Sequence, residues 1–207
     1  MSHQHESPAV GGVVLCGGHS RRMGKDKAWL PFAGQTLLQR TVERLADVAD
    51  PIVVVRASHQ KLPPLPRSVR VASDDVPDQG PLRGFQAGLA VMVDDCKLVF
   101  LVGCDAPLLR PEFVRLLRSH AGEHQAVVVR DEQRWHPLAA VYRSDVDAVV
   151  GRLLNEGKRR LQDLVAALDC CVLRPGDLGV ADPNLASLRS VNTPDEYQRL
   201  LAEADPA

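Results

Sequence analysis

The sequence predicts an α/β fold: a Rossmann-like, doubly wound, mostly parallel sheet flanked by helices in a single domain. Three observations predict it. Apolar, largely β-branched runs recur at residues 13–15, 52–55, 98–102 and 126–129, and runs this continuous suit strands buried on both faces. Between them, apolar residues repeat at helical spacing, so strand and helix alternate along the chain. Two of the runs end in chemistry, the first in glycines and cations and the third in Gly103-Cys104-Asp105; in such sheets ligands bind beyond the carboxyl ends of the strands.

The elements follow in order. Val13, Val14 and Leu15 read as a buried strand, and Gly17 and Gly18 then let the backbone turn and approach a ligand. Leu38, Val42 and Leu45 predict an amphipathic helix over 36–46. Residues 52–55 form a parallel strand, the proline-rich stretch 61–66 is extended loop, and 69–72 is a short strand. The segment QGPLRGFQAGL opens a second helix through Leu82, Phe85, Leu89 and Met92, while Gly84 and Gly88 thin one face for close packing or for a ligand. Residues 98–102 are the next strand, followed by a strand at 126–129, a helix near 144–154 and the apolar face of Leu161, Leu164, Val165 and Leu168. Thr193-Pro194-Asp195-Glu196 has the order of a helix cap, with proline at the first helical position and a capping-box glutamate. Residues 1–10 read as a flexible polar tail before a domain spanning 11–204.

Composition narrows the function. A chain of 207 residues buries one good core, and with aromatics at only 4% that core is mostly aliphatic. A net charge of −1 creates no global field for nucleic acid or anionic lipid. No apolar run is long enough to span a bilayer, and residues 1–10 lack the apolar stretch of a signal peptide. The five cysteines, odd in number and without C-x-x-C spacing, argue against a disulfide framework or zinc site and fit a reducing cytoplasm.

The basic character is local. Arg21, Arg22, Lys25 and Lys27 crowd the loop after the first strand, where backbone amides and mobile cations suit a polyphosphate. It is not a P-loop, because Gly24-Lys25 is followed by Asp26 and His19 stands where the first glycine belongs. Nor is it a dinucleotide fingerprint, because His-Ser-Arg-Arg-Met separates Gly18 from Gly24. Lys27 can meet phosphate as a point charge and Arg22 through bidentate contacts. Asp105, delivered by a rigid strand and followed by Pro107, is the best candidate to hold magnesium beside phosphate oxygens. Asp74 and Asp75 come after another predicted strand, just before the Gly80-Pro81 junction, and could contact nucleotide, although aspartate clusters in loops are also common turn formers.

The loop resembles the L-x-G-G-x-S-x-R-M-G-x-x-K signature of nucleotidyltransferases that couple a nucleoside triphosphate to a phosphorylated acceptor, with Leu15, Gly17, Gly18, Ser20, Arg22, Met23, Gly24 and Lys27 in place. QGPLRGFQAGL, GCDAPLL, WHPLAAVY and SVNTPDEY are further similar to segments of molybdenum cofactor guanylyltransferases, in the same order. That resemblance implies transfer of GMP from GTP to the terminal phosphate of molybdenum-molybdopterin with release of pyrophosphate, with Mg2+ as cofactor and transient contact with molybdoenzymes or their chaperones. It implies that Leu15, Cys16 and Gly17 meet the nucleotide through the backbone, that Lys27, Asp74 and Asp105 contact GTP, and that Arg22, Lys27 and Asp105 serve catalysis, with Asp105 holding the metal. His136 and Asn192 fall on the acceptor side. Cys16 departs from the usual alanine, and Val55 stands where some members present an asparagine, which leaves base preference open. The alternatives are a cytidylyltransferase for the same pterin, a sugar-phosphate nucleotidyltransferase, or a non-catalytic pterin or nucleotide carrier.

Overall fold

The computed structural model describes residues 9–16, 26–74, 79–92 and 95–204. Its strands are β1 (Val10–Leu15), β2 (Pro31–Phe32), β3 (Gln35–Thr36), β4 (Ile52–Ala57), β5 (Arg70–Asp74), β6 (Leu98–Gly103), β7 (Ala126–Arg130), β8 (Trp135–Arg143) and β9 (Cys170–Leu173). Its α-helices are α1 (Leu37–Ala46), α2 (Gly80–Met92), α3 (Pro111–Ser119), α4 (Asp147–Asn155), α5 (Leu161–Ala167) and α6 (Pro194–Ala204). Seven strands make one sheet in the order β5-β4-β1-β6-β8-β7-β9. β1 pairs in parallel with both β4 and β6, β4 with β5, and β7 with β9, whereas β8 runs antiparallel to both its neighbours. The single domain is thus α/β with a mostly parallel sheet, as the alternation predicts.

The continuous apolar runs follow from burial on two faces. Alternate residues of one strand enter different cores: Val14, Val54, Phe100 and Val102 pack with α1 and α3, while Val13, Val55, Val99 and Leu101 pack with α2, α4 and α5. A third, smaller cluster of Leu30, Phe32, Leu37, Val191 and Leu200 seats α6 against the β2–β3 hairpin. Helix α1 starts at a full capping box, with Thr36 Oγ1 accepting from the Gln39 N–H and Gln39 returning a bond to the Thr36 N–H. Helix α6 starts the same way, Thr193 Oγ1 accepting from the Glu196 N–H at 3.2 Å and Glu196 Oε2 from the Thr193 N–H at 3.0 Å.

Gly88 is a packing glycine. A Cβ on Gly88 would lie 2.7 Å from Val13 Cγ1 and 3.2 Å from Val55 Cγ2, whereas one on Gly84 would meet Leu15 at 3.4 Å, an ordinary van der Waals contact. The small size of Gly88 lets α2 lie directly on β1 and β4, which places its first residue, Gly80, at the carboxyl edge of the sheet.

Candidate active site

The carboxyl edge collects most of the predicted residues. Leu15 ends β1, Asp74 ends β5 and Asp105 lies just past the end of β6. The backbone holds these strand ends together: Cys104 N–H donates to Leu15 O at 2.9 Å and Cys16 N–H to Val55 O at 2.8 Å. Thr41 Oγ1 on α1 reaches Cys104 O at 3.2 Å, so the residue before Asp105 is pinned from the strand and from the helix. Asp74 pairs with Ala57 across the sheet and its carbonyl accepts from Ser58 N–H at 3.1 Å. Arg22 and Gly17 lie outside the described residues, as does Asp75.

Lys27 enters from a short 3-10 turn, Lys27–Trp29, capped by Asp26, whose Oδ1 accepts from Ala28 N–H at 3.0 Å. Its ammonium donates to Asp105 Oδ2 at 2.7 Å and to Asn192 Oδ1 at 3.0 Å, partners 78 and 165 residues away in the chain. The side chains of Lys27 and Asp105 are only 19% and 17% exposed, which shields the pair from much of the solvent screening that weakens surface ion pairs. Asn192 is aimed by its neighbours: its Nδ2 donates to Ser190 Oγ at 2.7 Å, its N–H to Glu196 Oε2 at 2.7 Å, and Val191 N–H donates to Asp105 O at 3.0 Å. The amide oxygen is thereby left facing the ammonium. Sequence reasoning separated Asn192 from Lys27 and Asp105, and the structure brings the three together.

Cys16, Val55 and His136 do not share in the Lys27–Asp105–Asn192 contacts. Cys16 is buried, and its thiol is held well above the ordinary thiol value, first by a hydrogen bond with Cys104 and then by burial; at neutral pH it stays protonated and unreactive. Val55 is buried against α2, so its side chain offers nothing to a base. His136 is the second residue of β8, beside β6 at the same sheet edge, and its Nε2 lies 2.7 Å from Asp131 Oδ2. That contact, followed by the N–H groups of Arg134 and Gln133, holds the Asp131 carboxyl down to about 2. Gln60, which the sequence did not single out, touches both Cys16 and Asp26.

The MobA-like NTP transferase domain model matches residues 12–171. The chain belongs to the MobA-like NTP transferase family. It is a nucleotidyltransferase. Across 203 residues it is 36% identical to a probable molybdenum cofactor guanylyltransferase of Mycobacterium avium (strain 104), an alignment covering 96% of this chain and 98% of the relative. Its fold is similar to that of molybdopterin-guanine dinucleotide biosynthesis protein A from Archaeoglobus fulgidus, with a TM-score of 0.76 at 21% identity over 93% of this chain and 97% of the other. It is also similar to a Mycobacterium tuberculosis H37Rv protein crystallised in complex with manganese, with a TM-score of 0.66 at 19% identity over 93% and 98% of the two chains.

Within this MobA-like transferase Gly103 gives Asp105 its room. A Cβ at Gly103 would fall 2.5 Å from Asp105 Oδ1, so Gly103→Ala must displace the carboxylate. Steady-state kinetics on that variant should show kcat/KM lowered by about 10- to 100-fold, the range expected of a misplacement near 1 Å. The melting temperature should stay within a few degrees of the parent, because the displaced group is a partly exposed side chain.

Proposed function

We propose that this transferase moves GMP from GTP to the terminal phosphate of molybdenum-molybdopterin and releases pyrophosphate. The observation that carries the reading is the meeting of Lys27, Asp105 and Asn192 at the carboxyl edge of the sheet, beside the exit of β1. The guanylyltransferase relatives, similar over nearly the full chain, support the choice of nucleotide and acceptor.

In the reaction an oxygen of the acceptor phosphate attacks the α-phosphorus of GTP. A new P–O bond forms, the α–β bridging bond breaks, and its electron pair leaves with pyrophosphate. Catalysis of such a step is mainly positioning and charge neutralisation. Lys27 supplies a fixed positive charge for the phosphates, and Arg22 adds a guanidinium able to grip two oxygens. Leu15 and Cys16 present backbone groups to the nucleotide, and Asp74 flanks it from β5. The first turn of α2, starting at Gly80, faces the same edge with its positive dipole end. His136 and Asn192 stand on the acceptor side.

The residues present fit a divalent cation. Asp105 is a hard oxygen donor that already carries an ammonium at 2.7 Å. Magnesium ordinarily takes one or two carboxylates together with phosphate oxygens and water, so one carboxylate at this edge is a sufficient protein share. We assign Asp105 as its protein ligand. When bound, magnesium neutralises charge on the triphosphate.

The test is direct. Incubation with GTP, magnesium and molybdenum-loaded molybdopterin should give the guanine dinucleotide and one pyrophosphate per product, with CTP and ATP competing poorly in the same titration. Absence of dinucleotide and pyrophosphate overturns the reading, and preferential use of CTP moves the assignment to a cytidylyltransferase.

A further inference from the structure

We infer that Gln60 is a positioning residue for the phosphate lysine Lys27, an inference that rests on the nucleotidyl-transfer reading above. Gln60 follows β4, in a turn where its N–H donates to Ala57 O at 3.1 Å and His59 adopts a positive φ of 63°. Its own side chain is held at both ends. Oε1 accepts from Ala57 N–H at 3.1 Å, while Nε2 donates to Asp26 Oδ2 at 2.9 Å and Oδ1 at 3.1 Å and to Cys16 O at 3.3 Å. Only one orientation of the amide meets this set, because its nitrogen faces three acceptors and its oxygen faces a donor. Arg56 steadies the same turn from below, donating to Gln60 O at 2.7 Å.

Asp26 and Cys16 are the partners that make this arrangement functional. Cys16 is the first residue past β1, and Asp26 caps the turn that begins with Lys27. One amide therefore ties the exit of β1 to the turn carrying the ammonium. A second tie lies next to it, where Trp29 Nε1 donates to Lys61 O at 2.9 Å. The 3-10 turn is a single turn of three residues, too short to hold its direction unaided; burial of Ala28 in the core against α1 seats it, and these outside bonds fix its aim at Asp105. Gln60 itself is spent on protein partners, which distinguishes it from a group that reads the base.

Holding the lysine in place beforehand removes an ordering cost from nucleotide binding and from the transition state. Gln60→Ala should therefore raise the KM for nucleotide by about 10-fold, the cost of roughly one charge-assisted hydrogen bond, and leave the KM for the acceptor unchanged. A double-mutant cycle tests the coupling, and the split between the two KM values is the readout that a merely structural role would not give. Gln60→Ala removes the donor to Asp26 and to Cys16 O, and Asp26→Ala removes the acceptor of that donor. Each should raise the nucleotide KM and leave the acceptor KM unchanged, and the double variant should stay within about 3-fold of the worse single variant, well short of the product of the two, the non-additivity expected of directly coupled partners.

Two results overturn the inference while the parent enzyme remains active: a Gln60→Ala nucleotide KM within 2-fold of the parent, even with a lowered melting temperature, or single-variant effects on nucleotide KM that simply multiply in the double variant. A parent enzyme that neither binds nor turns over nucleotide overturns the function itself, and the inference with it.

Discussion

Asp105→Asn should lower kcat for nucleotidyl transfer by about 1,000-fold, the scale expected when a preorganised charge is removed from phosphoryl chemistry. The substitution keeps the shape of the side chain and removes its charge. Backbone bonds of the segment survive it, including Val191 N–H to Asp105 O and Cys104 N–H to Leu15 O, so the folded structure should persist with little change in melting temperature. What is lost is the anchor at 2.7 Å for Lys27 and the carboxylate assigned to magnesium. Pre-steady-state kinetics over a magnesium titration separate the two: raising the metal concentration should restore part of the rate if weakened metal binding contributes. Near-normal kcat in Asp105→Asn would remove Asp105 from the catalytic assignment.

The largest expected effect on stability lies in α2. Gly88→Leu should destabilise the protein by more than about 3 kcal/mol, because overpacking a filled core commonly costs about 1–3 kcal/mol for smaller intrusions. The Cβ alone would stand 2.7 and 3.0 Å from the two methyl carbons of Val13 and 3.2 Å from Val55. Both valines are buried and β-branched, so neither can rotate away without moving a central strand. A chain of this size loses roughly 2–4 °C per kcal/mol, which puts the expected drop in melting temperature near 10 °C. Gly151 in α4 supplies the contrast: among the described residues a Cβ there meets only Gln86 Nε2, at 3.6 Å, so Gly151→Ala should stabilise by about 0.5–1 kcal/mol through helix propensity. If Gly88→Leu melted within a few degrees of the parent, the close seating of α2 on β1 and β4 would be wrong.

These two sites also show what could be read from the sequence. Asp105 was legible because an apolar strand, a glycine and an aspartate are contiguous, and contiguity is what motif spacing records. The helices over 36–46 and at 80–92 were legible from their periodicity. The helix Pro111–Ser119 carried a usable signal, proline at its first position and an apolar face of Phe113, Val114 and Leu117, but the sequence reading passed over it. The direction of β8 was not legible, because a strand buried among neighbours shows the same apolar run whichever way it points. The sequence left Gly84 and Gly88 open between packing and ligand contact, and the positions of Val13 and Val55 decide it for Gly88. Asn192 and Gln60 were the hardest. Their partners Lys27 and Asp26 lie 165 and 34 residues away, and no local pattern in either segment announces the meeting.

The distance between Lys27 and Asn192 bears on how the enzyme comes into being. On a ribosome Lys27 emerges early, its carboxylate partner 78 residues later and its amide partner 165 residues later. The sheet can pair β1, β4 and β6 well before that segment has been made, yet the ammonium meets both of these partners only once Asn192 arrives. A nascent chain can therefore own much of its core before the proposed site is complete, so the scaffold precedes the cluster it carries.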